Sequence, residues 1–311
     1  MLPIYFAPLQ GYTEAPYRRI HHEICGGIEA YYTPFIRLEH GQIRKKDLRE
    51  ALPEQNVGVR VIPQVIASDV NEFRPLVEKL ISIGHHEIDL NMGCPFPLQT
   101  RIGRGSGILP QVDKVKDILL DLKRIHETQS VDFSFKMRLG QLAPSECMEL
   151  LPLLNETPLT HITLHPRVGK DQYKGELDMD TFMQFYEGSS NPLIFNGLIA
   201  SVEDIQQIEA RFPKLAGVMI GRGLLSRPTL ASEYRDGKVL LDAEVRQKVL
   251  QMHSRLLSHY ETAIEGGEAQ LVQKMHSFWE YLEPLFDHKV VKKILKSGSL
   301  SNYRAAVSIA H

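Results

Sequence analysis

The segment Asp89-Leu-Asn-Met-Gly-Cys-Pro95 carries the residues whose types best suit catalysis. A buried strand from Glu87 to Leu90 is expected to run into a Gly-Cys-Pro turn, which would present the Cys94 thiol at the strand's carboxyl end, just after Asn91. The loop from Arg101 to Gly107 is rich in Arg and Gly. A thiol on a rigid turn among cations can act as a nucleophile or as a proton donor. Burial as a small hydrophobic side chain is the alternative.

Two polar residues within other apolar strands could likewise serve either function or structure. Lys136 lies within Phe133-Ser-Phe-Lys-Met, where an ammonium is costly unless it meets an anion or an electron-rich group. A lysine facing the surface is the alternative. His165, beside Arg167 at the end of an apolar run, is interpreted as a ligand contact rather than a core histidine with satisfied hydrogen bonds.

These residues need a scaffold, and the chain alternates short apolar runs with helical patterns. Eight strands are predicted, each followed by a helix or helical fragment, as in parallel β/α units. The strands are Ile4 to Ala7, Ala30 to Ile36, Val61 to Ile66, Glu87 to Leu90, Phe133 to Met137, His161 to His165, Leu193 to Phe195 and Gly217 to Ile220. Eight units in about 230 residues predict an α/β fold, a (β/α)8 TIM barrel over residues 1–237. A doubly wound open sheet is the runner-up, but no GxGxxG follows the first strand.

Residues 238–311 differ from the rest of the chain. Apolar residues recur there at helical spacing, and no strand pattern is present. The stripes run from Val245 to Ile264, from Leu271 to Leu285 and from Val290 onwards, the last among Lys289, Lys292, Lys293 and Lys296. This segment is predicted to be a small C-terminal helical bundle appended to the barrel.

Polar and glycine residues cluster where the barrel strands end, the face on which barrel active sites lie. In strand order they are Pro8, Leu9 and Gln10; Gln64; Asn91 and Cys94; Lys136 and Arg138; His165 and Arg167; Asn196 and Gly197; and Gly221 and Arg222. Loops after the seventh and eighth strands commonly bind phosphate, and an arginine there could clamp it. The alternative is that these glycines only make tight turns.

Bulk composition limits the function classes. The 311 residues are 43% apolar and 24% charged, which is ordinary for a globular protein, and the net charge of −2 requires any RNA-binding surface to be a local patch. Three cysteines without a CxxC motif argue against a disulfide framework or a zinc site and favour a reducing compartment. Neither a signal peptide nor a membrane-spanning run is recognised. A cytoplasmic monomer without a metal is expected.

Taken together, the motifs resemble the tRNA-dihydrouridine synthase family of flavin enzymes. The matching pieces span the barrel in the family's order, and the Asn-x-Gly-Cys-Pro element is the most specific of them. They are Ala7-Pro-Leu-Gln-Gly-Tyr-Thr13, Asp89 to Pro95, Lys136-Met-Arg138-Leu-Gly, His165-Pro-Arg167 with Tyr173 and Gly175, Asn196-Gly197, and Val218-Met-Ile-Gly-Arg-Gly223. The helical tail also resembles the family's tRNA-binding domain.

The resemblance implies FMN in the barrel mouth, NADPH as reductant and tRNA as partner. It implies that the flavin passes hydride to C6 of a flipped uracil while Cys94 protonates C5. The residues implied to bind FMN are Pro8, Leu9, Gln10, Gln64, Lys136, His165, Asn196, Gly197, Gly221 and Arg222. Asn91, Arg138 and Arg167 are expected to contact the substrate.

Departures from the family pattern leave other functions open. The sequence has Phe195-Asn-Gly-Leu198 and His165-Pro-Arg-Val168 where the family usually has Gly-Asn-Gly-Asp/Glu and His-Gly-Arg-Thr. The alternatives are a small-molecule flavin oxidoreductase of the dihydroorotate dehydrogenase type and a tRNA-binding barrel without activity. A cofactor-free aldolase or isomerase with Lys136 as Schiff-base lysine leaves Cys94 and Gln64 without a role.

Overall fold

The computed structural model describes residues 1–310 and contains a ring of parallel strands with helices outside it. The strands are β1 (Ile4–Phe6), β2 (Ala30–Tyr32), β3a (Val61–Ile62), β3b (Gln64–Val65), β4 (Glu87–Met92), β5 (Asp132–Gly140), β6 (His161–Val168), β7 (Leu193–Phe195) and β8 (Gly217–Ile220). A small antiparallel hairpin, Leu38–Glu39 with Gln42–Ile43, lies outside the ring.

The ring closes because the two segments at its apparent edges, β3a and β3b, are halves of one strand. β3a pairs with β2 and β3b pairs with β4, while β1 pairs with both β2 and β8. Pro63 separates β3a from β3b because it has no N–H to donate. Its carbonyl still accepts a 2.9 Å hydrogen bond from the Asp89 backbone N–H. The nine segments therefore form an eight-stranded barrel, and the predicted (β/α)8 fold is confirmed.

Helices follow the barrel strands and continue to the carboxyl terminus. They are α1 (Ala15–Ile24), α2 (Lys45–Arg49), α3 (Val70–Ser82), α4 (Pro97–Thr100), α5 (Val112–Gln129), α6 (Ser145–Asn155), α7 (Met179–Gly188), α8 (Val202–Arg211), α9 (Arg222–Ser226), α10 (Leu230–Asp236), α11 (Asp242–Ala263), α12 (Gly267–Trp279), α13 (His288–Leu295) and α14 (Leu300–Val307). No helix within residues 1–310 is both long and apolar enough to cross a membrane.

Local signals set several helix starts where the sequence predicts them. The Asp69 carboxylate accepts hydrogen bonds from the backbone N–H groups of Asn71 and Glu72 at the start of α3. Ser201 and Asp204 form the predicted capping box of α8. Such caps satisfy N–H groups that lack a partner inside the helix, each contributing about 1 kcal/mol.

Prolines shorten two predicted elements. The strand predicted over Ala30 to Ile36 ends at Tyr32 before Pro34, although Ile36 makes a parallel bridge with Val65. The apolar stripe from Leu271 to Leu285 is helical only as far as Trp279. Pro284 has no N–H, and its ring would clash with the carbonyl of residue 280 in a continued helix.

The four helices α11 to α14 form the predicted C-terminal helical bundle. The sequence patterns indicate three of these helices, and α14 is an additional one. Buried side chains of the bundle, such as Val249 and Met252, belong to the same hydrophobic cluster as Tyr17 and Ile20 of α1. The bundle therefore packs on the outside of the barrel, next to the first strand–helix unit. The division into domains at residues 237 and 238 stays a prediction.

Candidate active site

A cavity of about 360 Å³ opens at the carboxyl ends of the barrel strands. It brings together Cys94 and all ten residues predicted to bind a cofactor, together with Asn91 and Arg138 from the predicted substrate set. Its other lining residues are Ala7, Tyr12, Pro34, Phe35, Gly93, Pro95, Tyr173 and Tyr281. Of the predicted site residues, Arg167 alone is missing from this lining.

Strand register places a connected set of polar groups below the cavity. Asp89 and Asn91 lie two residues apart on β4, so their side chains share one face and both point into the barrel. Gln64 on β3b is the register partner of Asp89. The Gln64 amide donates to Asp89 at 2.6 Å and accepts from the Asn91 amide at 2.6 Å. The Ser134 hydroxyl donates to the other Asp89 oxygen at 2.7 Å. Burial raises the pKa of Asp89 to about 7.

The turn that carries Cys94 is fixed by its backbone. The Asn91 side-chain oxygen accepts from the N–H of Cys94 at 2.8 Å and from the N–H of Gly93 at 3.1 Å. The Cys94 carbonyl accepts from the Ser106 N–H at 3.0 Å. Gly105 supports this contact because its φ is +60° and a Cβ there would lie 2.4 Å from the Cys94 oxygen. Glycine is the residue that tolerates both conditions.

The Cys94 thiol is half-buried and faces the cavity. Burial raises its pKa above the ordinary cysteine value, while a hydrogen bond from the Phe96 backbone and the charges of Arg138 and Lys136 oppose the rise. The sulfur therefore holds its proton at neutral pH. A protonated thiol suits a general acid better than a nucleophile, which requires the thiolate.

Lys136 is held at the cavity by Asn196. Its ammonium donates to the Asn196 side-chain oxygen at 2.8 Å, and the Asn196 NH2 donates to the Met219 carbonyl at 2.7 Å, which fixes the amide. Burial and the charge of Arg138 lower the pKa of Lys136 to about 8. His165 lies 3.3 Å from the same Asn196 oxygen, and burial lowers its pKa well below the ordinary histidine value. The neutral ring therefore donates to Asn196 through Nδ1.

Arg138 and Arg222 both lie next to the exposed ring of Tyr173. The Arg138 guanidinium lies 5.3 Å and that of Arg222 lies 5.0 Å from the ring centroid. Arg138 is anchored by the carbonyls of Gly93 and Gln172, at 3.0 and 2.6 Å. Arg222 is exposed at the cavity edge. Both distances suit cation–π contacts.

Arg167 lies near the end of β6 as predicted, but its side chain does not line the cavity. It is buried behind His165, with one guanidinium nitrogen 3.5 Å from His165 Nε2 and another donating to the Gly175 carbonyl at 2.7 Å. This placement does not support direct contact with a substrate in the cavity. Arg167 instead ties the loop after β6 to the strand end.

Basic residues elsewhere serve different purposes. Arg104, in the loop after Cys94, is buried and pairs with Glu72 at 2.5 Å, so it anchors the loop rather than activating the thiol. Arg18 is fully buried and donates to Asn56 and to the Glu50 carbonyl. It is therefore a core residue.

Sequence reasoning missed the aromatic residues at the cavity mouth. The motif from Ala7 to Thr13 contains Tyr12 but implies no role for it, and no sequence pattern marks Phe35 or Tyr281. The rings of Tyr12 and Tyr281 meet edge to face at 5.4 Å, and the Tyr12 hydroxyl donates to Glu280 at 2.5 Å. Tyr281 comes from the helical bundle, 269 positions along the chain from Tyr12, so no local pattern could have signalled this contact. No cluster of side chains suited to a metal is found in residues 1–310.

The sequence matches known proteins over most of its length. It is 26% identical over 297 residues to tRNA-dihydrouridine synthase B of Pasteurella multocida, a match that covers 93% of this chain and 86% of the relative. It is 27% identical over 266 residues to a probable tRNA-dihydrouridine synthase of Helicobacter pylori, covering 84% and 77%. It is 27% identical over 286 residues to the Escherichia coli tRNA-dihydrouridine synthase B, covering 89% and 85%.

Solved structures with a similar fold include morphinone reductase, with a TM-score of 0.53 at 10% identity over 76% of this chain and 86% of that one. The old yellow enzyme from Trypanosoma cruzi aligns with a TM-score of 0.50 at 10% identity over 76% and 89%. At this identity the likeness concerns the fold alone. The family model described as dihydrouridine synthase (Dus) matches residues 5–301. The chain therefore belongs to the dihydrouridine synthase family.

Proposed function

We propose that this protein is an FMN-dependent tRNA-dihydrouridine synthase, in which NADPH reduces FMN and Cys94 protonates C5 of the target uracil. One observation carries the proposal. A single cavity joins a protonated thiol to cations that have no carboxylate partner, within a member of this family. The curated relatives bear the name of the same activity.

The residues around the cavity suit a flavin mononucleotide. Among the ion pairs found in residues 1–310, none involves Lys136, Arg138 or Arg222, so these cations are available to an anionic ligand. Gln64 and Asn91 each retain one amide N–H that the bonds below the cavity do not use. Such donors and cations suit the carbonyl-bearing edge of the flavin ring, and Gly197, Gly221 and Arg222 suit its phosphate.

The division of chemistry follows from these groups. When bound, FMN would accept hydride from NADPH and supply it to C6 of the uracil ring. Cys94 holds the proton that C5 needs, and the resulting thiolate lies near the positive charges of Arg138 and Lys136. Asn91 keeps the Cys94 backbone in place during the transfer. The reaction consumes NADPH, one proton and uridine, and yields NADP⁺ and dihydrouridine.

The helical bundle offers a surface for the tRNA backbone. Four lysines of and beside α13 line a groove of about 560 Å³: Lys289, Lys292, Lys293 and Lys296. None of these ammonium groups forms an ion pair with any residue from 1 to 310. Unpaired lysines along a groove favour contact with phosphates, in a sequence-independent manner. Tyr281 connects this bundle to the cavity mouth.

The test uses the purified protein and tRNA isolated from cells that lack this protein. The protein should bind FMN with a yellow spectrum, oxidise NADPH and form dihydrouridine that mass spectrometry detects in the RNA. Cys94→Ala should retain FMN but lose roughly 10²- to 10⁴-fold in dihydrouridine formation, the range for removal of a general acid. Cys25→Ala is the matched control because Cys25 is buried away from the cavity, against Met252.

Three outcomes would contradict the proposal. A protein that cannot be reconstituted with FMN would exclude the flavin. Rapid turnover of a small pyrimidine without RNA would favour the dihydroorotate dehydrogenase type of activity. Full activity of Cys94→Ala would remove the cysteine from the proton transfer while leaving the flavin assignment intact.

A further inference from the structure

Three buried side chains form a continuous hydrogen-bonded path from the barrel interior to the Cys94 turn. The path runs from the Asp89 carboxylate through the amides of Gln64 and Asn91 to the backbone N–H groups of Gly93 and Cys94. Asp89 and Gln64 are fully buried, and Asn91 is 6% exposed. The first two bonds are 2.6 Å long and the last is 2.8 Å.

Both ends of this path fix the direction in which its amides point. Backbone N–H groups can only donate, so the Asn91 oxygen must face Cys94 and its NH2 must face Gln64. The Gln64 oxygen then faces Asn91, and its NH2 must face Asp89. Both Asp89 oxygens accept hydrogen bonds, one from Gln64 and one from Ser134, and in its ionised form the carboxylate can only accept, which agrees with this orientation.

A reversed amide at either position would place two acceptors or two donors against each other in a buried site. Such a mismatch leaves polar groups without partners, which is more costly than the loss of an ordinary hydrogen bond. The path thus has one low-energy direction. In that direction Asn91 presents its oxygen to Cys94, while each amide keeps one N–H for the cavity.

Asp89 has no place in the proposed chemistry, yet it terminates the path. It does not line the cavity, and both of its oxygens are occupied, one by Gln64 and the other by Ser134. Its register position opposite Gln64 and two residues before Asn91 lets one carboxylate orient the amide of the neighbouring strand. We propose that Asp89 is a positioning residue that holds the Cys94 turn in place through Gln64 and Asn91.

The inference predicts how exposed Cys94 becomes when the path is broken. In Asp89→Leu, the Gln64 NH2 loses its acceptor. Only the backbone N–H groups then still orient the two amides, so the Asn91 oxygen holds the Cys94 turn less firmly. Alkylation of Cys94 by iodoacetamide, followed by peptide mass spectrometry on the FMN-free protein, should accelerate roughly tenfold. Asp89→Asn keeps an oxygen for Gln64, so it should stay within about twofold of the wild-type rate.

Ser134→Ala is the matched control, because it removes a hydrogen bond to the same carboxylate but none of the bonds that link Asp89 to Cys94. Its alkylation rate should equal that of the wild type. If Asp89→Leu does not fold, Gln64→Met interrupts the path at its middle and should give the same acceleration. Equal rates in the path-breaking variant and wild type, or equal acceleration in Ser134→Ala, would overturn the inference.

A second readout connects this path to catalysis and rests on the proposed function. In the FMN-loaded enzyme, Asp89→Leu should lower kcat for tRNA at least tenfold, whereas Asp89→Asn should restore it to near wild type. Alkylation is measured without cofactor or RNA. A failure of the proposed function would therefore abolish the kcat readout for every variant and leave the alkylation result intact.

Discussion

The floor of the cavity and its rim are built by different means. The floor consists of Gln64, Asn91, Lys136 and Asn196, which lie on barrel strands or directly after them. Hydrogen bonds join Asn91 to Gln64 at 2.6 Å and Lys136 to Asn196 at 2.8 Å. The rim consists of Tyr12 and Tyr281, which come from a loop and from the helical bundle and meet at a part-exposed edge. The floor is therefore held by barrel register, and the rim by a contact between distant segments.

This difference suggests a division of labour. Fixed polar groups on rigid strands suit a resident cofactor, because orientation is settled before binding. Part-exposed aromatic rings at the rim suit a large substrate that must enter and leave, because they offer stacking area to any base. Floor variants should therefore alter FMN binding, and rim variants should alter RNA binding with FMN retained.

Lys136→Met should have the largest effect on the floor. Loss of a charge-assisted contact costs about 1.5–3 kcal/mol, so we expect FMN affinity to fall by roughly tenfold to a hundredfold. The FMN-free variant should unfold at the same or higher urea concentration than wild type, because burial already lowers the pKa of Lys136 to about 8. Flavin fluorescence titration measures the affinity.

Lys170→Met serves as the control for Lys136→Met, because Lys170 is exposed outside the cavity and should leave FMN affinity unchanged. Unaltered affinity in Lys136→Met would show that the ammonium does not meet the cofactor. It would also weaken the distinction between floor and rim.

The titration of Lys136 gives a second, smaller effect. Its folded-state pKa of about 8 lies below the ordinary 10.5, so the unfolded chain holds the proton between these values and the folded FMN-free protein does not. Stability of the FMN-free protein should therefore rise with pH across this window. Under the proposed assignment of Lys136 to the cofactor, FMN binding uses the charged ammonium and should weaken above pH 8, by up to about tenfold per pH unit.

Titrations of FMN at pH 7, 8, 9 and 10 measure this slope. Lys136→Met should show a flatter profile, because other titrating groups remain but the ammonium is gone. Equal slopes for the two proteins would assign the pH dependence to another group.

The same contrast explains which parts the sequence could predict. Lys136 and Asn91 follow or interrupt apolar strands, and strand ends converge in a barrel, so the sequence predicts that they meet. Alternation alone leaves a surface-facing Lys136 open, and only the strand register decides that it faces the cavity. Tyr281 could not be predicted, because its position depends on how the bundle packs and on the chain leaving the helical pattern before Pro284. Arg167 shows another limit of prediction from sequence. A residue near the end of a strand can direct its side chain away from the cavity, and the sequence alone does not show which way it points.

Tyr281→Ala tests the rim. Loss of an aromatic stacking surface costs about 1–3 kcal/mol, and the part-exposed position of this ring favours the lower end. We expect KM for tRNA to rise about fivefold, with FMN affinity and the rate of NADPH oxidation by the bound flavin unchanged. Tyr281→Phe should retain the wild-type KM. A fall in FMN affinity as large as that of Lys136→Met would contradict the division between floor and rim.

Tyr12→Phe should produce the smallest change. The variant keeps the ring contact with Tyr281 but loses the hydroxyl that donates to Glu280 at 2.5 Å. Burial, followed by the hydrogen bond to Glu280, raises the pKa of Tyr12, so the hydroxyl keeps its proton at neutral pH. Because this bond lies at an exposed edge, we expect the free energy of unfolding in urea to fall by less than about 1 kcal/mol and KM for tRNA to change about twofold. Glu280→Gln preserves an acceptor and should match wild type. A change of tenfold in KM would mean that this contact itself orders the rim, and the rim would then resemble the floor in being fixed before the substrate arrives.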